Sequence, residues 1–126
     1  MAKSPGHRKW PDHRVEEHAV RQPMRVEIGG DVVAESSDVV KVTEDDHPDR
    51  YYFPRADVRA EALERSPRTT QCPFKGTAAY FHVRAAASRL DNAAWSYEDP
   101  YEEHASLKER IAFHDERDDA LQVRFR

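Results

Sequence analysis

Residues 69–80, with the sequence T-T-Q-C-P-F-K-G-T-A-A-Y, concentrate more chemistry than any other part of the chain. They hold the only cysteine, Cys72, followed at once by a proline, an aromatic residue, Lys75 and a glycine. Aromatic clusters flank this segment on both sides, Y-Y-F-P at 51–54 and A-W-S-Y at 94–97. We expect these clusters to form the walls of a pocket that Cys72 and Lys75 face.

The apolar residues around this segment follow the alternating pattern of short β-strands. A Gly-Gly-Asp turn joins the first two predicted strands into a hairpin. We also expect a short helix at 58–65, capped by Asp57, and a helical turn that begins at Pro100. The predicted strands cover residues 25–28, 32–34, 39–42, 51–53, 77–84, 93–97, 111–113 and 121–125. Short strands with only one or two short helices predict a mainly β domain.

A length of 126 residues is sufficient for one domain, which we place at residues 25–126. Residues 1–24 are basic and proline-containing without an apolar period, and they are predicted to form a flexible arm. Three histidines of this arm, His7, His13 and His18, are spaced by six and five residues, which fits no single helical face. We therefore expect no metal site there.

The composition also limits the location and the partners of the protein. A single cysteine excludes an internal disulfide and a Cys-x-x-Cys zinc knuckle, which favours the reducing cytoplasm. We find no signal segment and no apolar run near the roughly 20 residues that a membrane span needs, so we expect no membrane partner. Because no basic stripe continues the charge of residues 1–24, nucleic-acid binding is not expected.

Four blocks of sequence together resemble the small bacterial proteins of the family named domain of unknown function 427. The blocks are Y-Y-F-P at 51–54, C-P-F-K-G-T-A-A-Y at 72–80, N-A-A-W-S-Y-E-D-P at 92–100 and I-A-F at 111–113. The resemblance extends over about residues 26–125. One departure is the His114-Asp115 pair, which follows I-A-F where an aromatic residue is expected.

The resemblance implies a β-tent-like fold, in which two antiparallel sheets pack roughly orthogonally. Methionine sulfoxide reductase B and the thalidomide-binding domain of cereblon share this fold, and many such relatives bind zinc through two pairs of cysteines. Since this chain has only Cys72, we expect neither zinc nor another cofactor. The family also carries a nucleotidyltransferase label, but the sequence has no glycine-rich phosphate loop and no paired acids on a recognisable strand to hold magnesium.

Three hypotheses of function follow. In the first, a polar-aromatic pocket binds a small polar or anionic ligand, or a peptide end; its predicted lining residues are Tyr52, Cys72, Lys75, Tyr80, Trp95 and Tyr97. In the second, the protein is a cofactor-free enzyme in which Cys72 is the nucleophile, Lys75 stabilises charge and a histidine such as His82 moves the proton. In the third, the aromatic residues form the interface of a homodimeric scaffold. Cys72 also fits a simpler role as a small buried apolar residue.

Overall fold

Ten antiparallel strands and a few short helical turns form the part of the chain that the structure describes. The computed structural model describes residues 2–116 and 118–126, of which 54% lie in strands and 14% in helices. No helix in these ranges is long and apolar enough to cross a membrane. The strands are β1 (Val15–Val20), β2 (Met24–Ile28), β3 (Asp31–Ser36), β4 (Val39–Glu44), β5 (Arg50–Tyr52), β6 (Leu63–Cys72), β7 (Gly76–Ala85), β8 (Ser88–Tyr97), β9 (Ile111–Phe113) and β10 (Leu121–Phe125). The mainly β class predicted from the sequence is confirmed.

The strands are hydrogen-bonded into three sheets, in the orders β1-β4-β5, β10-β2-β3 and β6-β7-β8-β9. The resemblance to the family implied two sheets. The difference arises at the edge between β5 and β9, where Phe53 and Ile111 exchange two backbone hydrogen bonds of 2.8 Å. This bridge is one residue pair long, so it connects the first and third sheets at their edges without merging them into one ladder.

Side chains alternate between two apolar cores because successive residues of a strand point to opposite faces. On β7, Phe81 and Val83 enter a core that also contains β2 and β3, whereas Ala78 enters a second core. On β8, Ala94 belongs to the first core and Trp95 to the second. The aromatic residues that surround Cys72 therefore belong to the second core.

The helix predicted at 58–65 is wrong. The chain forms two 3₁₀ turns, Arg55–Asp57 and Ala60–Ala62, and then enters β6 at Leu63. Pairing with β7 determines this conformation, and the ladder shifts register between Arg65 and Thr69, where Pro67 lies. A proline removes one ladder hydrogen bond, and a bulge tolerates that loss.

The helical turn expected after Pro100 is present as a 3₁₀ helix, Glu102–Leu107. Strand β8 begins at Ser88, five residues before the predicted start at residue 93. Ala86 and Ala87 adopt positive φ values of 52° and 61° and turn β7 into β8. No glycine marks this turn, so the sequence favoured a loop there.

Residues 2–20 differ from the flexible arm that we expected. The helix α1 (Pro5–Lys9) lies against the turn between β6 and β7, where Gly6 N donates to Pro73 O at 2.8 Å and Ser4 Oγ donates to the same oxygen at 2.7 Å. Strand β1 then pairs with the whole of β4. Only Val15 and Val20 are strongly apolar in β1, too few to show alternation, so its pairing with β4 was not evident from the sequence.

Candidate functional site

A pocket of about 440 Å³ opens where the second core meets the turn between β6 and β7. The six side chains predicted to line one pocket all line this cavity: Tyr52, Cys72, Lys75, Tyr80, Trp95 and Tyr97. They come from β5, β6, β7, β8 and the turn, so antiparallel pairing brings them together from distant parts of the sequence. Their role in ligand binding stays a prediction.

A buried ion pair joins the turn to the end of β4. Lys75 Nζ donates a hydrogen bond to Glu44 Oε1, and the two side chains are 9% and 10% exposed. Burial opposes ionisation of Glu44, but the hydrogen bonds from Lys75 and His13 lower its pKa below the usual value. The carboxylate is therefore charged at neutral pH and largely neutralises the lysine.

Gly76 positions this lysine by ending the turn with a φ of 122°. This left-handed conformation is one that residues with a Cβ rarely adopt. A Cβ at this position would make only an ordinary contact of 3.4 Å with the carbonyl oxygen of Asp99. The backbone conformation, and not a clash, is therefore what requires glycine here.

Cys72 is half-buried at the pocket, with its Sγ 4.0 Å from Lys75 Nζ. An isolated ammonium at that distance would favour a thiolate. Here the ammonium is bonded to Glu44, whose negative charge opposes its effect on the sulfur. The geometry supports access to the thiol from the pocket more strongly than activation of the thiol by Lys75.

The tyrosines of the pocket differ in how their hydroxyls are satisfied. Tyr52 Oη accepts a hydrogen bond from Trp95 Nε1 at 3.1 Å, and Tyr80 Oη lies 3.1 Å from Thr70 Oγ1. Tyr97 is 7% exposed, and its hydroxyl has no hydrogen-bond partner within residues 2–116 and 118–126. Burial raises the pKa of Tyr97, so the hydroxyl keeps its proton and can donate it to a ligand.

Sequence reasoning missed His13 and Arg50, which also line the pocket. His13 stacks on Phe74 with ring centroids 4.4 Å apart, and its Nε2 lies 2.9 Å from Glu44 Oε2. Arg50 lies over the Trp95 ring at 5.2 Å. None of these residues stands in a recognisable motif, and His13 reaches Glu44 across 31 positions of sequence.

His114, noted in the sequence as a departure from the family pattern, lies at this edge of the pocket. Its ring centroid is 4.3 Å from that of Trp95 and 6.4 Å from that of Tyr80. An imidazole thus contributes a ring where the resemblance led us to expect an aromatic residue. It also brings ring nitrogens that a phenyl group lacks.

His82 does not take the role of base that we considered for it. It is 9% exposed, and its Nδ1 accepts a hydrogen bond from Asn92 N at 3.0 Å. Cys72 pairs with Gly76 at the start of β7, and His82 stands six residues further along that strand, roughly 20 Å away at the usual rise. His13, His47 and His114 are the imidazoles that line the pocket.

Three of the lining residues could hold a metal ion. One ligand atom from each of His13, Glu44 and His47 lies within 4.8 Å of the others. This group was not recognised from the sequence, because the predicted absence of metal considered His13 only together with His7 and His18.

Comparison with known proteins identifies the family of the chain. None of the curated proteins compared with it matches. The family model described as domain of unknown function (DUF427) matches residues 16–124, a range that includes every strand from β2 to β9 and all the lining residues of the pocket except His13. Since the match covers most of the 126 residues, the protein belongs to the DUF427 family.

Proposed function

We propose that the protein binds a small polar or anionic ligand in this pocket. The observation that carries the proposal is the Tyr97 hydroxyl, which belongs to a mostly buried pocket residue, keeps its proton and has no hydrogen-bond partner in the described ranges. A hydroxyl that faces a pocket in this way can donate to a ligand a hydrogen bond worth about 0.5–1.5 kcal/mol. A ligand with an acceptor atom at this position would use that donor.

The charges of the lining residues favour a polar or anionic ligand over a cation. Lys75 and Arg50 are basic, and Glu44 is the single carboxylate among the described lining residues, although Glu116, outside the lining, pairs with Arg50. Lys75 and His13 already occupy its two oxygens. An organic ammonium ion, which imidazole nitrogens do not coordinate as they do a metal ion, would have no unengaged acid to meet, whereas the tyrosine hydroxyl and the imidazoles offer donors to an oxygen-rich ligand.

The size and the walls of the pocket also fit a small molecule. Its volume of about 440 Å³ lies within the range of roughly 300–1,000 Å³ that is typical of ligand sites. The rings of Tyr52, Trp95 and Tyr97 form flat apolar walls. The ring centroid of Tyr52 lies 6.2 Å from that of Trp95 and 6.4 Å from that of Tyr97. A ligand that combines a flat body with a polar or anionic group would contact both features.

The fluorescence emission of Trp95, measured as each probe is added, tests this proposal. The measurement uses the Trp10→Phe variant, in which Trp95 is the one remaining tryptophan, with a chelator present. The probes are benzoate, phenyl phosphate, benzamide and benzylamine. We expect the anionic or amide probes to bind and benzylamine to bind more weakly. Tyr97→Phe should weaken binding about tenfold, the value of one hydrogen bond to a buried group. The matched control Tyr51→Phe alters a tyrosine that packs against the other core and should leave affinity unchanged.

Failure of every probe at millimolar concentration would overturn the proposal. Equal affinity in the wild type and in Tyr97→Phe would overturn the role of the hydroxyl.

A cofactor-free enzyme with Cys72 as nucleophile is the second candidate, because the thiol lines the pocket. The rate of alkylation by iodoacetamide, followed against pH in the native and unfolded protein, tests it. A native midpoint well below the roughly 8.5 of a free thiol would favour the enzyme. A thiol that is inert until the chain unfolds would refute it.

The homodimeric scaffold stays a prediction. Trp95 is 6% exposed, so little of its ring is available to a partner surface. Light scattering of the wild type and of Trp95→Ala tests the idea, and an unchanged mass would refute an interface built on this residue.

A further inference from the structure

The ligand atoms of His13, Glu44 and His47 converge on one side of the pocket. His13 Nε2 lies 2.9 Å and His47 Nε2 lies 3.6 Å from the same oxygen, Glu44 Oε2. All three residues line the pocket. From this convergence we propose that the protein binds a divalent transition-metal ion through His13, Glu44 and His47.

The distances suit a single ion. Imidazole nitrogens and carboxylate oxygens bind Zn²⁺ at about 2.0–2.2 Å in tetrahedral geometry, which places neighbouring ligand atoms roughly 3.3 Å apart. The separations of 2.9 and 3.6 Å lie on either side of this value. The whole group spans 4.8 Å, so small side-chain rotations would complete the geometry.

Neighbouring side chains already hold two of the three ligands in place. The His13 ring stacks on Phe74 with an interplanar angle of 21°. Lys75 holds Glu44 Oε1, which leaves Oε2 directed at the imidazoles. Residues that orient the ligands in this way raise the affinity of a metal site. His47, in the turn after β4, is the third ligand and the least constrained by neighbours, with a side chain that is 58% exposed.

The donor set determines the class of metal. Two imidazoles and one carboxylate suit Zn²⁺, Co²⁺ or Ni²⁺, whereas Mg²⁺ and Ca²⁺ prefer oxygen ligands alone. Three protein ligands leave a fourth position for water or for a small molecule, as in zinc sites that interact with substrates. The inference does not depend on an organic ligand, because the ion would bind in the free protein.

Titration of the chelator-treated, untagged protein with Co²⁺ alone tests the site, since tetrahedral Co²⁺ absorbs visible light. We expect one ion per chain and displacement by Zn²⁺. His47→Gln keeps the size of an exposed side chain and should weaken affinity at least about tenfold, and His13→Gln should do the same. The matched control is His18→Gln, on an exposed histidine of β1 that contacts Thr43, and it should bind as the wild type does.

A fourth variant separates this site from adventitious binding by other histidines. Lys75→Met removes the side chain that holds Glu44 Oε1 and should weaken Co²⁺ binding by at least about threefold, because residues that orient the ligands raise the affinity of a metal site. Absence of Co²⁺ uptake would overturn the proposal. Uptake that His47→Gln and His13→Gln leave unchanged would also overturn it, because the ion would then lie elsewhere. Neither result bears on the probe experiments with Trp95, which are carried out with a chelator.

Discussion

Gly6→Ala places helix propensity and tertiary packing in direct opposition. In an isolated helix, alanine is more favourable than glycine by about 0.5–1 kcal/mol. In this protein, a Cβ on Gly6 would lie 2.6 Å from Pro73 O and 2.9 Å from Phe74 Cδ1. To restore an ordinary contact of 3.4 Å, α1 and the turn would have to separate by about 0.8 Å.

That separation would break the hydrogen bond from Gly6 N to Pro73 O, now 2.8 Å long. The lost bond costs about 0.5–1.5 kcal/mol, and overpacking adds about 1–3 kcal/mol. After the gain in propensity, we expect the docking of residues 2–14 to lose about 2 kcal/mol, which corresponds to about 30-fold more frequent opening.

Hydrogen exchange of peptides from residues 2–14 measures this opening directly. We expect the exchange rate of Gly6→Ala to rise about 30-fold while that of β7 and β8 changes little. Arg8→Ala is the control, because it makes the same helix richer in alanine at an exposed position. If Gly6→Ala exchanges more slowly than the wild type, propensity outweighs the contact with Pro73 and our account of the docked segment is refuted.

Three further predictions concern buried polar groups. Lys75→Met leaves the Glu44 carboxylate buried without its partner, and it should lower the free energy of unfolding in urea by about 3 kcal/mol. The double variant Lys75→Met/Glu44→Gln should recover at least half of that loss. If the losses of the two single variants simply add in the double variant, the pairing is contradicted. Burial and the neighbouring His104, whose Nε2 lies 2.8 Å from His7 Nε2, lower the pKa of His7 in the folded protein. The contribution of neutral His7 to stability is therefore complete above pH 6.5, the pKa of an unfolded histidine. It is lost as the pH falls from 6.5 towards the lower pKa of the folded state. Hydrogen exchange of residues 2–14, corrected for intrinsic rates, should therefore accelerate as the pH is lowered from 7.5 to 5.5 in the wild type but not in His7→Phe. Equal acceleration in both proteins would exclude His7 as the cause of the pH dependence. Tyr97→Phe should change the free energy of unfolding by less than about 0.5 kcal/mol, because the hydroxyl has no partner in the described ranges, and a loss of about 1 kcal/mol or more would mean that it has one.

The sequence predicted well those parts of the fold in which alternation is strong. Val26 and Ile28 alternate with charged residues, and Phe81 and Val83 alternate with polar ones, so the hairpin and β7 were evident. It failed at residues 58–65, where helix propensity at Ala62 and Leu63 gave way to pairing with β7. Cross-strand pairing depends on a partner that is distant in sequence, and local propensity contains no information about it.

The candidate site shows the same division. The aromatic residues, Cys72 and Lys75 could be found because they cluster within short segments. Glu44 could not, since an acid at the end of a strand resembles any solvated loop residue until its contact with Lys75 is seen. His13 was assigned to an arm because its stack on Phe74 joins residues 61 positions apart in the sequence.

The pairing of β1 with β4 also affects how the protein avoids association with other chains. Strand β4 contains Val39, Val40 and Val42, and without β1 its backbone donors and acceptors would form an open, apolar edge of the kind that nucleates aggregation. Strand β1 takes that edge and presents a new one that carries Glu16 and His18, both exposed. Charged side chains on an outer strand discourage the addition of a further strand. Residues 15–20 therefore act as a protective border for the first sheet, and their removal should favour insoluble protein even though they contribute few side chains to the cores.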